Sequence, residues 1–279
     1  MIVQHNMTAL NANRQLGITN TNLAKSTEKL SSGYRVNRAA DDAAGLSISE
    51  KMRGQIRGLN QASTNAQDGT SLIQTAEGAL SEIHSVLQRM RELTVQASND
   101  TYVSADREAI SLEMVALTSE IDRISNQTEF NTMKLLDGSF TDKVLQVGAN
   151  SSQQISFSIK KMLSEGLNVK ADAVAEKVYD GGNATGKTIT GLISIVNSAL
   201  TQVSLQRSNL GALQNRLEHT IANADNTAEN LQSAESRIRD VDMAKEMVSY
   251  SKSSILQQAG QSMLAQANQA TQGVLSLLQ

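Results

Sequence analysis

The sequence LNQASTNAQDGTSLIQTAEGALSEIHSVLQRM, residues 59–90, carries the most regular apolar pattern of the chain. Apolar or small residues recur there at alternating steps of three and four: Leu59, Ala62, Ala66, Gly69, Ile73, Ala76, Leu80, Ile83, Leu87 and Met90. This period places them along one side of an α-helix and is typical of the seam of a left-handed coiled coil. A helix from Ala43 to about Ser98 would be about 80 Å long, and its seam needs a partner helix.

A matching pattern in the second half of the chain supplies that partner. One heptad frame holds Ile193, Val196, Leu200, Val203, Leu210, Leu217, Ile221, Ala224, Ala228, Leu231 and Ile238. Arg207, Gln214 and Glu235 fill its remaining seam positions. The period changes between the two halves, where residues 144–147 and 155–159 alternate as β-strands do. The sequence therefore predicts a mainly α protein with long antiparallel coiled-coil helices and a small β-hairpin region.

Both ends of the chain carry narrower apolar stripes. The first comprises Ile2, Ala9, Leu16, Leu23 and Leu30; the last comprises Leu256, Ala259, Met263, Ala267, Ala270, Val274 and Leu277. Such a stripe can form one helical seam but no globular core. We therefore expect each end to pair with another helix, most simply with the other end. Between the first stripe and the long helix, either Asp41 or Asp42 can cap the helix that follows.

Composition excludes several classes of function. The chain has 279 residues with a net charge of −3, which gives no electrostatic reason to expect nucleic acid or an anionic membrane as a partner. No apolar run is long enough to span a bilayer. The start of the sequence lacks the basic and apolar regions of a cleaved signal peptide, so we expect none. Cysteine and proline are absent, which rules out disulfides and permits long uninterrupted helices.

No pattern in the sequence indicates an active site. His5, His84 and His219 belong to different predicted helices, and the chain contains no HExxH or CxxC motif. Asp41 and Asp42 could bind a metal in principle, but helix capping already explains them. Around Met90, the charges of Arg89, Arg91 and Glu92 fit the solvated side of a coiled coil. We expect no enzymatic activity, no cofactor and no metal.

Six stretches closely resemble bacterial flagellin. They are MIVQHNMTALNANRQL (1–16), LSSGYRVNRAADDAAGLSISEKMRGQIRGL (30–59), SEIHSVLQRMRELTVQASN (81–99), EIDRISNQTEFNTMKLLDG (120–138), ESRIRDVDMAKEM (235–247) and ILQQAGQSMLAQANQATQGVLSLLQ (255–279). The resemblance implies an extracellular protein that polymerises into the flagellar filament for motility. It also implies type III export without a cleaved signal peptide, with an export chaperone and a cap protein as partners.

The resemblance divides the chain into five parts. Residues 1–42 and 241–279 would form terminal helices of an inner tube, helical in the assembled filament. Residues 43–138 and 189–240 would form the two halves of a conserved helical shell. Residues 139–188 would hold the hairpin and a variable segment, which leaves no room for the outer domains of larger flagellins. The resemblance assigns polymerisation to apolar residues of the ends: Ile2, Leu16, Leu23, Leu30, Leu256, Met263, Leu264, Val274, Leu275 and Leu278.

The resemblance further implies recognition by Toll-like receptor 5. The matching positions are Gln88, Arg89, Glu92, Leu93 and Glu113. A hook–filament junction protein is the nearest alternative, because it shares the terminal pattern. An enzyme inserted into the middle of the chain and an intracellular coiled-coil scaffold explain the sequence less well. For the enzyme, the chain lacks both an HExxH motif and room for an inserted domain, and a scaffold would not explain the motifs at the two ends.

Overall fold

A computed structural model describes residues 6–179 and 186–276, with side chains to residue 179 and from 189 to 270. The described chain is mainly helical, as predicted. Its helices are α1 (Met7–Ser32), α2 (Ala43–Ala97), α3 (Ser104–Gln127), α4 (Ala171–Val178), α5 (Gly186–Arg239) and α6 (Met243–Ser276). Its strands are β1 (Glu129–Phe130), β2 (Met133–Lys134), β3 (Lys143–Gln146) and β4 (Gln154–Phe157).

The long helices and the hairpin confirm the predictions from periodicity. α2 is 55 residues long and ends one residue before Ser98. β3 and β4 pair antiparallel, with Lys143 opposite Phe157 and Gln146 opposite Gln154. Two elements had no counterpart in the sequence analysis: the β1–β2 pair and the eight-residue α4. Both are too short to show a period, and α4 lies in a stretch expected to be a loose connection.

Helix ends follow local rules of capping. Gly33 takes the left-handed conformation, with φ of 75°, and its N–H donates to the Lys29 carbonyl, which ends α1. Asp42 begins α2, because its Oδ1 accepts from the N–H of Gly45 at 2.8 Å. Asp41 instead accepts from the N–H groups of Asn37 and Arg38 in the preceding loop. Of the two aspartates that the sequence left open, Asp42 is therefore the cap.

The chain divides into two compact units. We call Arg57–Ala228 the core unit, and we call Met1–Ile56 with Glu229–Gln279 the terminal unit. In the core unit, the predicted seam of α2 is half-buried at Leu59 and buried from Ala62 to Met90, together with residues of α3, the hairpin and α5. Fully buried large side chains there include Ile73, Leu80, Ile83, Leu87, Met90, Met114 and Ile121. This unit has the continuous apolar core expected of an independently folding domain.

The hairpin of the core unit lies close against α2. A Cβ built on Gly58 would come within 2.8 Å of the Ala149 Cβ, and one on Gly69 would come within 2.5 Å of a Leu145 methyl carbon. Between them, the Asn65 amide donates to the Gln146 carbonyl at 3.1 Å. Glycines on α2 thus permit the close approach of the β3–β4 hairpin.

The terminal unit is a pair of antiparallel helices with little core. The Asn6 amide donates to the Ala267 carbonyl, and the Leu16 side chain lies against Gly260. At the other end of the pair, Tyr34 bridges to Asp240. Among the described residues of this unit, Val36 is the only apolar side chain with full burial. The terminal helices α1 and α6 do pair with each other, but most side chains in their contact are only half-buried.

Candidate assembly surface

The contact between α1 and α6 uses small and polar residues as well as leucines. Half-buried or buried positions recur on α1 at Ala9, Ala12, Leu16, Thr19, Leu23, Ser26 and Leu30. On α6 they recur at Tyr250, Ser253, Gln257, Gly260, Leu264 and Ala267. The described residues of the predicted α1 stripe, Ala9, Leu16, Leu23 and Leu30, are all among these positions, and the other three positions lie between them. On α6, the helix instead turns a more polar set of residues towards α1.

The residues predicted for polymerisation therefore fall into three groups. Leu16, Leu23, Leu30 and Leu264 are half-buried positions of the α1–α6 contact. Leu256 and Met263 are exposed on α6. Ile2 and Leu278 lie outside the described residues, as do the side chains of Val274 and Leu275. Their role in assembly stays a prediction.

Large apolar side chains cover the parts of the terminal unit that the α1–α6 contact leaves open. They are Met7, Leu10, Ile18, Ile48, Met243, Met247, Val248, Ile255, Leu256 and Met263, all exposed. We call these ten residues the open apolar surface. Four of them, with Ser251 and Lys252, line a shallow depression on α6: Met247, Val248, Ile255 and Leu256. Exposed apolar side chains grouped in such a depression are typical of a contact with another protein.

Sequence analysis missed most of the α6 part of this surface. Met243, Met247, Val248 and Ile255 lie outside the predicted stripe. The missed signal was that α6 has apolar residues on more than one side. A helix with two apolar sides needs more than one partner, and α1 can cover only one of them.

The connections between the terminal helices and the long helices are tied together. The Arg239 guanidinium lies 4.7 Å from the centre of the Tyr34 ring and donates to Glu50 at 2.8 Å. The Arg35 side chain donates to the Ile238 carbonyl, and its backbone N–H donates to the Arg239 carbonyl. These contacts lie where α1 ends and α6 begins, and they join both connections to the start of α2 and the end of α5.

The predicted receptor residues lie where α2 and α3 run side by side in the core unit. Arg89 donates to Glu113 at 3.0 Å and to Glu92 at 3.2 Å. The hydrogen bond to Glu113 is the main cause of a raised pKa of Arg89, and the hydrogen bond to Glu92 raises it further. Gln88 is exposed beside them and contacts the His84 ring. The structure thus brings four of the five residues together at the surface.

Leu93 is the exception, because its side chain is only 1% exposed. It lies beside Thr94, the next position of the α2 seam after Met90, and packs within the core. Arg107 holds the turn that follows, donating to the carbonyls of Ala97 and Asn99. Leu93 and Arg107 therefore support the position of the exposed cluster rather than forming part of its surface.

Neither a metal site nor a membrane-spanning helix is present among the described residues. They contain no group of three or more His, Asp or Glu side chains arranged to hold a metal ion. None of the described helices is long and apolar enough to cross a membrane. His84 and His219 belong to different helices, α2 and α5, and His5 lies outside the description.

Comparison with known proteins agrees with this architecture. Residues 3–141 match the family model of the bacterial flagellin N-terminal helical region, and residues 193–278 match that of the C-terminal helical region. The chain is 56% identical to a flagellin of Halalkalibacterium halodurans and 50% identical to a flagellar filament 33 kDa core protein of Treponema phagedenis, each over the full length of both chains. A putative flagellar hook-associated protein from Vibrio parahaemolyticus shares the fold, with a TM-score of 0.60 at 12% identity over 72% of this chain and 98% of its own.

Proposed function

Because this chain belongs to the bacterial flagellin family, we propose that it polymerises with copies of itself through the open apolar surface. The family is structural, and its members form the bacterial flagellar filament outside the cell. The short middle segment agrees with a form that lacks outer domains. On this basis the terminal helices form the inner part of a filament that serves motility, and the helical segments 43–138 and 189–240 form the shell around it.

One observation carries the proposal: α6 has more large apolar side chains than its contact with α1 covers. Val248 and Ile255 are 70% and 66% exposed. Burial of such side chains is worth about 1.5–3 kcal/mol each when complete. A second copy of the chain is the occupant that the family supports. Contacts between unlike surfaces of identical copies build a helical fibre when the copies do not close into a ring.

Assembly on this account is coupled to folding of the terminal unit. Each ordered residue costs about 1–2 kcal/mol of backbone entropy, and the α1–α6 contact buries few large side chains to offset it. In solution, therefore, the terminal helices of a free subunit open and unfold locally. Neighbouring subunits supply the missing burial and select the paired, helical conformation.

Electron microscopy of the purified full chain under polymerising conditions tests the proposal. We expect long filaments from the unaltered chain and few or none from Leu256→Ser, which removes an exposed leucine of α6. Gln258→Ser is the matched control, since it places the same residue at a nearby exposed position of α6. Normal filaments from Leu256→Ser, Ile255→Ser and Val248→Ser alike would contradict the proposal. Short or absent homopolymers from the unaltered chain would favour the hook–filament junction protein instead.

Three partners follow from the same proposal. An export chaperone covers the apolar terminal helices before assembly, and a cap protein receives the subunit at the growing tip after export without a cleaved signal peptide. Toll-like receptor 5 recognises the exposed cluster of Gln88, Arg89, Glu92 and Glu113, with Leu93 beneath it. The exposure of four polar residues on adjoining helices supports the receptor assignment.

A receptor reporter assay separates this cluster from the rest of the surface. Arg89→Ala removes the side chain that joins α2 to Glu113, and we expect at least a tenfold higher concentration for half-maximal activation. Arg123→Ala is the control, because Arg123 is an exposed arginine of α3 paired with Glu120. Equal activation by both variants would exclude Arg89 from the receptor contact.

A further inference from the structure

Most of the nine described methionines are either exposed in the terminal unit or buried in the core unit, and Met52, which lies in the terminal unit, is half-buried. Met7, Met243, Met247 and Met263 belong to the terminal unit and are between 49% and 67% exposed. Met90, Met114 and Met162 belong to the core unit and are at most 1% exposed. Met133, the first residue of β2, is an exposed methionine of the core unit. The terminal helices thus present to solvent the thioethers that the core unit mostly keeps inside.

These four methionines are also part of the open apolar surface. Met243 and Met247 are one helical turn apart, so their side chains are neighbours on α6. Met247 lies in the shallow depression with Val248, Ile255 and Leu256. Any change in the polarity of these side chains therefore falls within the surface that our proposed function assigns to subunit contact.

We propose that Met7, Met243, Met247 and Met263 are oxidation sites that control assembly of the free subunit. A peroxide transfers one oxygen atom to the thioether sulfur. The O–O bond breaks, an S=O bond forms, the sulfur is oxidised by two electrons, and hydrogen peroxide leaves as water. The product is methionine sulfoxide, which is polar where methionine is apolar.

The effect on assembly follows from the cost of burying a polar group. A sulfoxide oxygen is hydrated in the free subunit, and an apolar contact gives it no hydrogen-bond donor. Oxidised subunits therefore stay soluble and folded in the core unit but do not join the filament. Subunits already assembled are protected, because the same thioethers are covered. This inference rests on the proposed function, since it needs the open apolar surface to be the subunit contact.

The first measurement concerns the free full-length subunit alone. It is treated with dilute hydrogen peroxide, and the oxidation of each methionine is followed by peptide mass spectrometry. We expect Met7, Met243, Met247, Met263 and Met133 to oxidise at least ten times faster than Met90, Met114 and Met162. Similar rates at all eight positions would overturn the inference, whatever the chain assembles into.

The second measurement compares polymerisation before and after treatment. We expect oxidation to raise the critical concentration at least tenfold, and reduction of both sulfoxide epimers by methionine sulfoxide reductases to restore it. A variant with M7L, M243L, M247L and M263L keeps the apolar volume and should polymerise equally well with and without peroxide. Met133→Leu is the control and should remain as sensitive as the unaltered chain.

The outcomes separate the two proposals. Unimpaired polymerisation of the oxidised chain, or a four-leucine variant as sensitive as the original, overturns the methionine inference and leaves the proposed function standing. If the four-leucine variant does not polymerise even without peroxide, the reductase experiment on the oxidised unaltered chain is the deciding test. Sulfoxide reductases reverse only methionine oxidation, so polymerisation that they do not restore would overturn the methionine inference. Failure of the untreated original chain to polymerise overturns the proposed function itself.

Discussion

The core unit and the terminal unit are both built from helices with a seven-residue pattern, but the pattern is filled differently. The core unit places Ile73, Leu80, Ile83 and Leu87 on its seam, all fully buried. The terminal unit places residues such as Thr19, Ser26, Gln257 and Gly260 at the corresponding positions, and most of them are only half-buried. Four leucines also lie half-buried in this contact, but the ten residues of the open apolar surface are exposed.

The same helical period thus has different consequences in the two units, depending on the size of the residues that it places in the contact. The period alone determines which side of a helix meets a partner, and both units obey it. The size of the residues on that side determines how much free energy the contact provides. The core unit therefore holds itself together, whereas the terminal unit leaves large apolar side chains exposed, and our proposed function assigns these to contacts with other subunits.

Removing the ends should have the largest effect. A chain of residues 45–235 lacks α1 and α6 but keeps the whole core unit, so we expect no polymerisation at any accessible concentration. Its helix content and cooperative unfolding, followed by circular dichroism, should remain those of a folded domain. Normal filaments from this chain would show that the terminal unit is dispensable for assembly.

Replacing one leucine by alanine in each unit should lower the free energy of unfolding by different amounts. Leu80→Ala empties a fully buried position and should lower the free energy of unfolding by about 2–5 kcal/mol. Leu23→Ala changes a half-buried position of α1 and should change global unfolding by less than about 1 kcal/mol. Chemical denaturation of the free subunit measures both. Equal losses would mean that α1 belongs to the cooperative core.

Two glycines test how closely each unit is packed. Gly58→Ala brings a methyl group within 2.8 Å of the Ala149 Cβ in the core unit, and we expect a net loss of about 1–2 kcal/mol in unfolding free energy. Gly17→Ala in α1 meets nothing within 4 Å and should raise helix content, because alanine favours a helix by up to about 1 kcal/mol. A gain at Gly58 would contradict the close seating of the hairpin.

The smallest and most local effect should come from acid, which removes the helix cap of Asp242 at the start of α6. Asp242 accepts hydrogen bonds from the N–H groups of Ala244 and Lys245, and the bond from Lys245 is the main cause of its lowered pKa. A lowered pKa means that the ionised cap stabilises the helix at neutral pH and that this contribution is lost as the pH falls below about 4.

Amide chemical shifts of residues 243–247 between pH 5 and pH 2 would follow this loss. Asp242→Asn keeps an acceptor for the same backbone groups but cannot titrate, so its shifts should stay constant. An identical pH response in the asparagine variant would exclude Asp242 as the group responsible.

Much of this arrangement follows from the sequence, for a physical reason. The period of Ile73, Leu80 and Leu87 is long and uninterrupted, so the helix and its buried side are both determined locally. The same period continues to Thr94 and Ala97, which are both fully buried, whereas the burial of Leu93 beside them is given neither by the period nor by the resemblance. Short elements such as α4 have too few residues to show a period.

The open apolar surface could not be predicted in the same way. Which side of α6 faces α1 depends on where Gly260 meets Leu16 and where Asn6 meets Ala267, and these are contacts between residues far apart in the chain. The ion pair between Arg89 and Glu113 likewise depends on how α3 folds back on α2. Spacing along one helix cannot specify either contact.

Hydrogen exchange of residues 6–32 and 243–276, measured in the free subunit and in the filament, tests the central claim most directly. The account predicts fast exchange of these amides in the free subunit, beside strong protection of α2 and α5 in the core unit, and slow exchange of all of them in the filament. Equal protection of the terminal helices in both states would contradict it, because the terminal unit would then be stable without neighbours.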